Sequence, residues 1–244
     1  VKDADMPASR LADGEGLLLL HGAGARGLVW QQQVLAFPRA QAPDLPGRAG
    51  RAPAGVDGYL EALRAGLTPG PARVVGGHSL GGAIAMAWAI RYPEEVRALI
   101  LVGTGARLRV TPAWLEGIRS GNADIVGQFG AAWFGPQADQ RLREKSLRLL
   151  RATPPDVLLA DLAAADGFDV MGELARIAAP ALVVCGADDR LTPPKYSRYL
   201  HEQIRGSHLV VVEGAGHMVM LEQPQATNQA LRDFLVRLDV GVGP

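Results

Sequence analysis

Five short apolar runs punctuate the chain, and longer stretches with helical spacing separate them. The runs are "GLLLLHG" (16–22), "ARVVGGHS" (72–79), "RALILVGTG" (97–105), "PALVVCGAD" (180–188) and "SHLVVVEGAG" (207–216). None alternates apolar with polar residues, so each predicts a strand buried on both faces. A sixth, "RAQAPDLPG" (39–47), predicts a short strand running into a loop. Helical spacing follows the second run from Leu80 to Arg91 and stops at Tyr92-Pro93, since the residue before a proline is driven out of the helical region. Further helices are predicted over roughly 194–204 and, with an amphipathic pattern, 224–238. Continuous apolar strands separated by helices predict an α/β protein, a mostly parallel sheet with helices on both faces.

One stretch breaks the alternation. From about residue 106 to 169 no strand pattern occurs. Four helical segments fill it: "TPAWLEGIRS", "NADIVGQFGAAWFG", "PQADQRLREKSLRLLRAT" and "PPDVLLADLAAAD". Thr111-Pro112, Gly135-Pro136 and Thr153-Pro154-Pro155 punctuate them, and the last three segments carry helix-start residues. This reads as a helical cap (lid) inserted into the sheet, and it divides the chain into core 1–105, cap 106–169 and core 170–244. There is no internal repeat.

Composition narrows the partners. The 25 basic and 25 acidic residues cancel, leaving no electrostatic footprint for nucleic acid or an anionic membrane. The apolar runs are far too short to span a bilayer. The opening "VKDADMPASR" lacks the layout of a secretion signal, and a lone cysteine, Cys185, forbids an internal disulfide. A cytoplasmic enzyme of small molecules is the expectation.

The candidate chemistry begins at Ser79. It stands in Gly77-His78-Ser79-Leu80-Gly81, a G-x-S-x-G spacing placed where a strand meets a helix. Such an elbow strains the serine backbone and needs small residues two positions to either side, so that strand and helix can approach. It also raises the hydroxyl at a helix N-terminus, where partial positive charge favours an anion. A nucleophile of this kind needs a base, a group to orient the base and donors for an oxyanion. Of the five histidines, His217 follows the last strand, on the strand edge where open α/β sheets bind ligands. His78 and His21 read as structural, and His201 and His208 as surface residues. None has metal-ligand spacing with another, so no metal or other cofactor is expected. The acid is Asp188 or Asp189, directly after the fourth long run, with Asp189 favoured. The chain order Ser, Asp, His is that of the elbow-type triad. The backbone N–H groups of Leu80 and Ala23 are the candidate oxyanion donors.

These pieces resemble the α/β-hydrolase superfamily, in its esterase and carbon–carbon-bond hydrolase branch. "HGAG", "DLPGRAG", "GGHSLGGA", "CGADDRLTPP" and "GAGHMVMLEQP" carry the likeness in the family's order from His21 to Pro224. The resemblance implies the α/β-hydrolase fold, nucleophile Ser79, acid Asp189, base His217, an oxyanion hole at Ala23 and Leu80, and a lid at 106–169. Two features depart from it. Arg48 stands where the family usually shows histidine, a structural change expected to leave the chemistry alone. Only about fifteen residues precede the first run, so the N-terminal strands are expected to be reduced. The sheet edge would then need blunting or a partner, and either a monomer or a homodimer fits.

A serine at the elbow argues against the dehalogenase and epoxide hydrolase members, which use aspartate there. Ester hydrolysis is the default reaction, on a small-molecule ester of short to medium acyl length. Trp114, Phe129, Trp133, Phe134 and Phe168 in the cap, with Met171 beyond, can line an acyl pocket or merely pack the cap. Trp133, Phe134 and Met218 are the substrate-contact candidates. The alternatives are cleavage of a carbon–carbon bond in a vinylogous diketone, with Arg107 and Arg109 receiving a substrate carboxylate; a haloperoxidase or perhydrolase activity; and a hydrolase fold that binds a ligand without turnover.

Overall fold

A computed structural model describes residues 16–48, 52–68 and 70–239. Five strands form one sheet: β1 (Leu17–Leu20), β2 (Arg73–His78), β3 (Val96–Val102), β4 (Ala181–Gly186) and β5 (His208–Val212). They lie side by side in chain order, and every neighbouring pair is parallel. Successive side chains of a strand point to opposite faces, and every residue of β1 and β4 is buried. Both faces are therefore covered along these strands, which is why they read as unbroken apolar runs; β5, at an edge of the sheet, departs from the expectation, with residues 208–211 half-buried and only Val212 buried.

The predicted sixth strand shrinks to a single residue. Gln41 pairs with Leu18 and exchanges hydrogen bonds with Leu17 and Leu19. Pro43 and Pro46 follow at once and have no N–H to continue the ladder. That one contact lies against the outer edge of β1. The reduced N-terminal edge expected from the sequence falls on residues 1–15, outside the described residues.

The helices α1 (Gln31–Ala36), α2 (Gly55–Gly66), α3 (Leu80–Arg91), α8 (Pro194–Gln203), α9 (Val219–Glu222) and α10 (Pro224–Asp239) surround the sheet. Between β3 and β4 come α4 (Pro112–Arg119), α5 (Ala123–Ala131), α6 (Gln140–Arg151) and α7 (Pro155–Asp166), with no named strand among them. A single antiparallel bridge between Arg107 and Asp169 ties the two ends of this segment together. In α3 every residue from Leu80 to Ile90 is buried, and the helix packs on β1, β2 and β3. Its glycines and alanines permit that approach. A Cβ on Gly81 would lie 2.3 Å from the Leu20 carbonyl oxygen, and one on Gly77 would lie 2.1 Å from the Gly81 carbonyl oxygen.

The loop after β1 is braced by His21, which is fully buried. Its Nδ1–H donates to the Gly22 carbonyl at 2.9 Å, and its Nε2 accepts the Leu45 N–H at 2.8 Å. Burial, against the pull of the Gly22 hydrogen bond, lowers its pKa from 6.5 to about 4.

Two outcomes follow from this packing. Gly77→Ala should abolish the folded elbow, because backbone cannot yield 1 Å, whereas Gly66→Ala meets nothing within 4 Å and should be neutral or stabilise by up to about 1 kcal/mol. Thermal unfolding of the two purified variants checks this, and a Gly77→Ala protein as stable as wild type would contradict it. His21 stays neutral in the fold, so unfolding takes up a proton between about pH 4 and 6.5. Its stabilisation, roughly 3 kcal/mol for a shift of that size, is full above pH 6.5 and is lost as the pH falls through that window. Urea unfolding of His21→Gln should show lower stability at neutral pH and a shallower acid slope than wild type. An unchanged slope would count against the assignment.

Candidate active site

Ser79 joins β2 to α3 with φ 52° and ψ −115°, and among the described residues no other non-glycine has a positive φ. Such a conformation costs about 1–3 kcal/mol. Burying one large apolar side chain contributes about as much, and α3 buries Ile84, Met86 and Trp88. Packing of the helix therefore suffices to hold the strained residue. Hydrogen bonds fix it further: Ser79 N–H donates to the Val102 carbonyl at 3.0 Å, and the Ser79 carbonyl accepts from Ala83 N–H and Thr104 Oγ1.

His217 lies in the loop after β5 and is buried. Its Nδ1 is 2.9 Å from Asp189 Oδ2. Asp189, rather than Asp188, makes this contact. The Asp189 carboxylate also accepts from the N–H groups of Leu191 and Thr192 at 2.9 Å each, and from Thr192 Oγ1 at 2.7 Å. Burial alone raises its pKa, but the charge and hydrogen bond of His217 and the bonds from Thr192 outweigh that and hold the carboxyl below its usual range. An ionised Asp189 accepts an N–H from Nδ1, and in the neutral tautomer that this bond selects Nε2 is the acceptor.

The sequence reading did not single out Thr192. Its signal is the spacing Asp-x-x-Thr just ahead of Pro193, which places a hydroxyl and an amide back on the carboxylate. It also missed Glu222, which holds two segments together. Glu222 accepts from Gly216 N–H beside His217 at 2.9 Å and from Gly135 N–H after α5 at 2.8 Å. Burial raises the pKa of this carboxyl despite those two amides. Met218 N–H donates to the Trp133 carbonyl at 3.0 Å and completes the seam.

Ser79, His217 and Ala23 face one cavity of about 560 Å³, counting its open mouth. The loop carrying Ala23 lies directly over the serine, since a Cβ on Gly22 would meet Ser79 Cβ at 3.1 Å. Leu80 opens α3, so its N–H belongs to the helix N-terminus, while its side chain is buried away from the cavity. Trp114, Phe129, Trp133 and Met218 line the wall. The rings of Trp114, Phe129 and Trp133 meet edge to face, with centroids 5.2 and 5.6 Å apart.

Phe134, expected on the wall, is not among the lining residues; its ring lies beside the Arg143 guanidinium instead. Phe168 is buried elsewhere, against α2 and α3, and Met171 is exposed. Arg109 lines the cavity, whereas Arg107 pairs with Asp169 at 3.6 Å. His78 donates from Nε2 to the His217 carbonyl at 3.0 Å, and its ring lies tilted against that of His217 with centroids 4.5 Å apart, so it braces the loop that carries His217. His201 is exposed and His208 half-buried. Among the described residues no three His, Cys, Asp or Glu side chains are grouped as a metal site would require, and no helix is long and apolar enough to cross a membrane.

A profile of the alpha/beta hydrolase family matches residues 17–230. A pimeloyl-[acyl-carrier protein] methyl ester esterase of Neisseria meningitidis serogroup B is 33% identical over 242 residues, covering 89% of this chain and 91% of that one. A Variovorax paradoxus protein, provisionally named the carbamate hydrolase RutD, is 30% identical over 93% of this chain and 94% of its own. Among solved structures, a thermophilic esterase superposes with a TM-score of 0.80 at 36% identity, covering 91% of this chain and 90% of that one. The expected fold and the resemblance read from the sequence are thereby met, and relatives of this chain are esterases. The chain belongs to the alpha/beta hydrolase family.

Proposed function

We propose that this protein is a carboxylesterase that works through an acyl-enzyme on Ser79, with His217 as general base and acid and Asp189 as the group that orients it. The observation that carries this reading is the 2.9 Å contact between Asp189 and His217 on the wall of the cavity that holds Ser79. With Nδ1–H committed to Asp189, Nε2 of His217 takes the Ser79 proton as Oγ attacks the ester carbonyl. The carbonyl π electrons move onto oxygen, and the Ala23 and Leu80 N–H groups stabilise that oxyanion, each worth about 3 kcal/mol. Collapse breaks the bond to the alcohol, which leaves with the proton from His217. Water then attacks acyl-Ser79 with the same base, releasing the acid and restoring the serine.

Residues 106–169 act as the cap in this reading. Trp114, Phe129, Trp133, Leu162 and Met218 offer an apolar wall for a short to medium acyl chain. The methyl ester of a carrier-bound pimeloyl chain, the substrate in the name of the Neisseria relatives, is a specific candidate. A buried free Cys185 fits a reducing cytoplasm. One observation favours a second reading: Arg109 at the cavity could receive a substrate carboxylate, as cleavage of a ring-fission diketone would require.

A panel of p-nitrophenyl esters from acetate to laurate, with the pimeloyl methyl ester alongside, tests the proposal. Wild type should hydrolyse part of the panel. Ser79→Ala should lose about a millionfold in kcat, and Asp189→Asn about ten-thousandfold. A folded wild type inert on every ester would overturn ester hydrolysis and make the diketone the next substrate.

A further inference from the structure

Asp161 lies on α7, inside the cap, and its side chain is fully buried. Its neighbours in helical phase are Val157, Leu158, Ala164 and Ala165, all buried. A carboxylate in that apolar stripe is costly unless paired and hydrogen-bonded. It is fully satisfied here, by groups from three other segments. Arg48, only 6% exposed, donates from Nη2 to Oδ2 at 2.7 Å and from Nη1 to Oδ1 at 3.2 Å. Tyr59 of α2 donates to Oδ1 at 2.5 Å. The fourth donor is the backbone N–H of Gly24, 2.8 Å from Oδ2.

Gly24 belongs to the turn Gly22-Ala23-Gly24-Ala25, closed by Ala25 N–H on the Gly22 carbonyl. Its φ of +68° at the third position is what a type II turn demands of a glycine. Ala23 occupies the second position, and its N–H stays outside the turn's own hydrogen bond. The turn is held at three further backbone atoms. Asp161 takes the Gly24 N–H, Thr153 Oγ1 donates to the Gly24 carbonyl at 3.1 Å, and Arg48 donates to the Ala25 carbonyl at 3.3 Å. Leu150 and Leu158 close over Gly24, leaving no room for a Cβ. Asp161, Thr153, Leu150 and Leu158 all come from the cap segment.

We propose that Asp161 is a positioning residue for the oxyanion site, aiming the Ala23 N–H by anchoring the Gly24 N–H that follows it. The proposal rests on the reading of Ala23 as an oxyanion donor. It gives the cap a part in the chemical step as well as in covering the pocket. It also assigns Arg48 a role: its guanidinium balances the anchoring charge, and a neutral side chain there would leave that carboxylate buried without a counter-ion. A backbone donor contributes only if it points at the place the oxyanion will occupy, and misplacement by about 1 Å costs about a hundredfold in rate.

The test uses the full chain. Asp161→Leu combined with Arg48→Met replaces the buried pair by apolar groups of similar volume, removing the anchor without stranding a charge. Thr153→Val removes one hydroxyl and no charge. Each variant is measured for kcat and KM on the best p-nitrophenyl ester, for binding of a trifluoromethyl ketone that forms the tetrahedral oxyanion on Ser79, and for thermal unfolding.

The double variant should lose about a hundredfold in kcat, with KM little changed and ketone affinity falling in parallel. Thr153→Val should lose several-fold in kcat in the same pattern. A folded double variant with wild-type kcat would overturn the proposal. So would a loss confined to KM, or a fall in kcat that ketone affinity does not follow. If the double variant does not fold, Thr153→Val decides: an unchanged kcat overturns the proposal, and a several-fold loss shared by the ketone supports it. A wild type inert on every ester defeats the esterase reading underneath, whereas an active wild type with unaffected variants defeats the positioning role alone.

Discussion

The backbone of Ser79 is the constraint on which the rest of this molecule turns. A side chain at φ 52° is unfavourable, and only the surrounding packing keeps it there. Gly77 and Gly81 must lack a Cβ because strand, helix and the end of β1 meet within 3 Å of where it would stand. The helix that follows is small-sided and wholly buried to Ile90, so its apolar contacts offset the strain. The hydroxyl at the tip then faces a cavity with the N-terminus of that helix behind it.

The groups around the serine are held by three carboxylates, Asp189 and Asp161 buried and Glu222 half-buried, and each accepts at least one backbone amide. Asp189 accepts from Leu191, Thr192 and His217; Glu222 joins the loop before His217 to Gly135; Asp161 joins the loop after β1 to α7. An unpaired carboxylate in these places would be costly. The arrangement therefore tolerates little movement, and movement in these loops is what the proposed acyl transfer could least accommodate. The segment between β3 and β4 touches both of the loops that flank the serine, through the turn after α5 on one side and through α7 on the other.

Much of this was legible in the sequence. The unbroken apolar runs gave away a sheet buried on both faces, and Tyr92-Pro93 marked the end of α3. Proline and cap residues marked the four helices between β3 and β4, because those signals act within a few residues of themselves. Asp189 and His217 could be placed by position after their strands, and the structure brings them to 2.9 Å. What could not be read depended on contacts between distant segments. Asp161 and Gly24 are 137 positions apart, and no local pattern joins them; the only hint was a carboxylate in a buried helical stripe. Phe134 shared its apolar character with Trp133, but the turn at Gly135 faces it toward Arg143. The strand expected at 39–47 failed because prolines cut its ladder after one residue.

The proposed function makes Ser79 a nucleophile activated by its surroundings. Reaction with a fluorophosphonate, followed by intact mass and peptide mapping, tests it without any choice of substrate. The account predicts one adduct per chain, on the peptide that contains Ser79, formed rapidly by wild type and not at all by Ser79→Ala. A folded wild type that takes no label, or takes it on another residue, would contradict it.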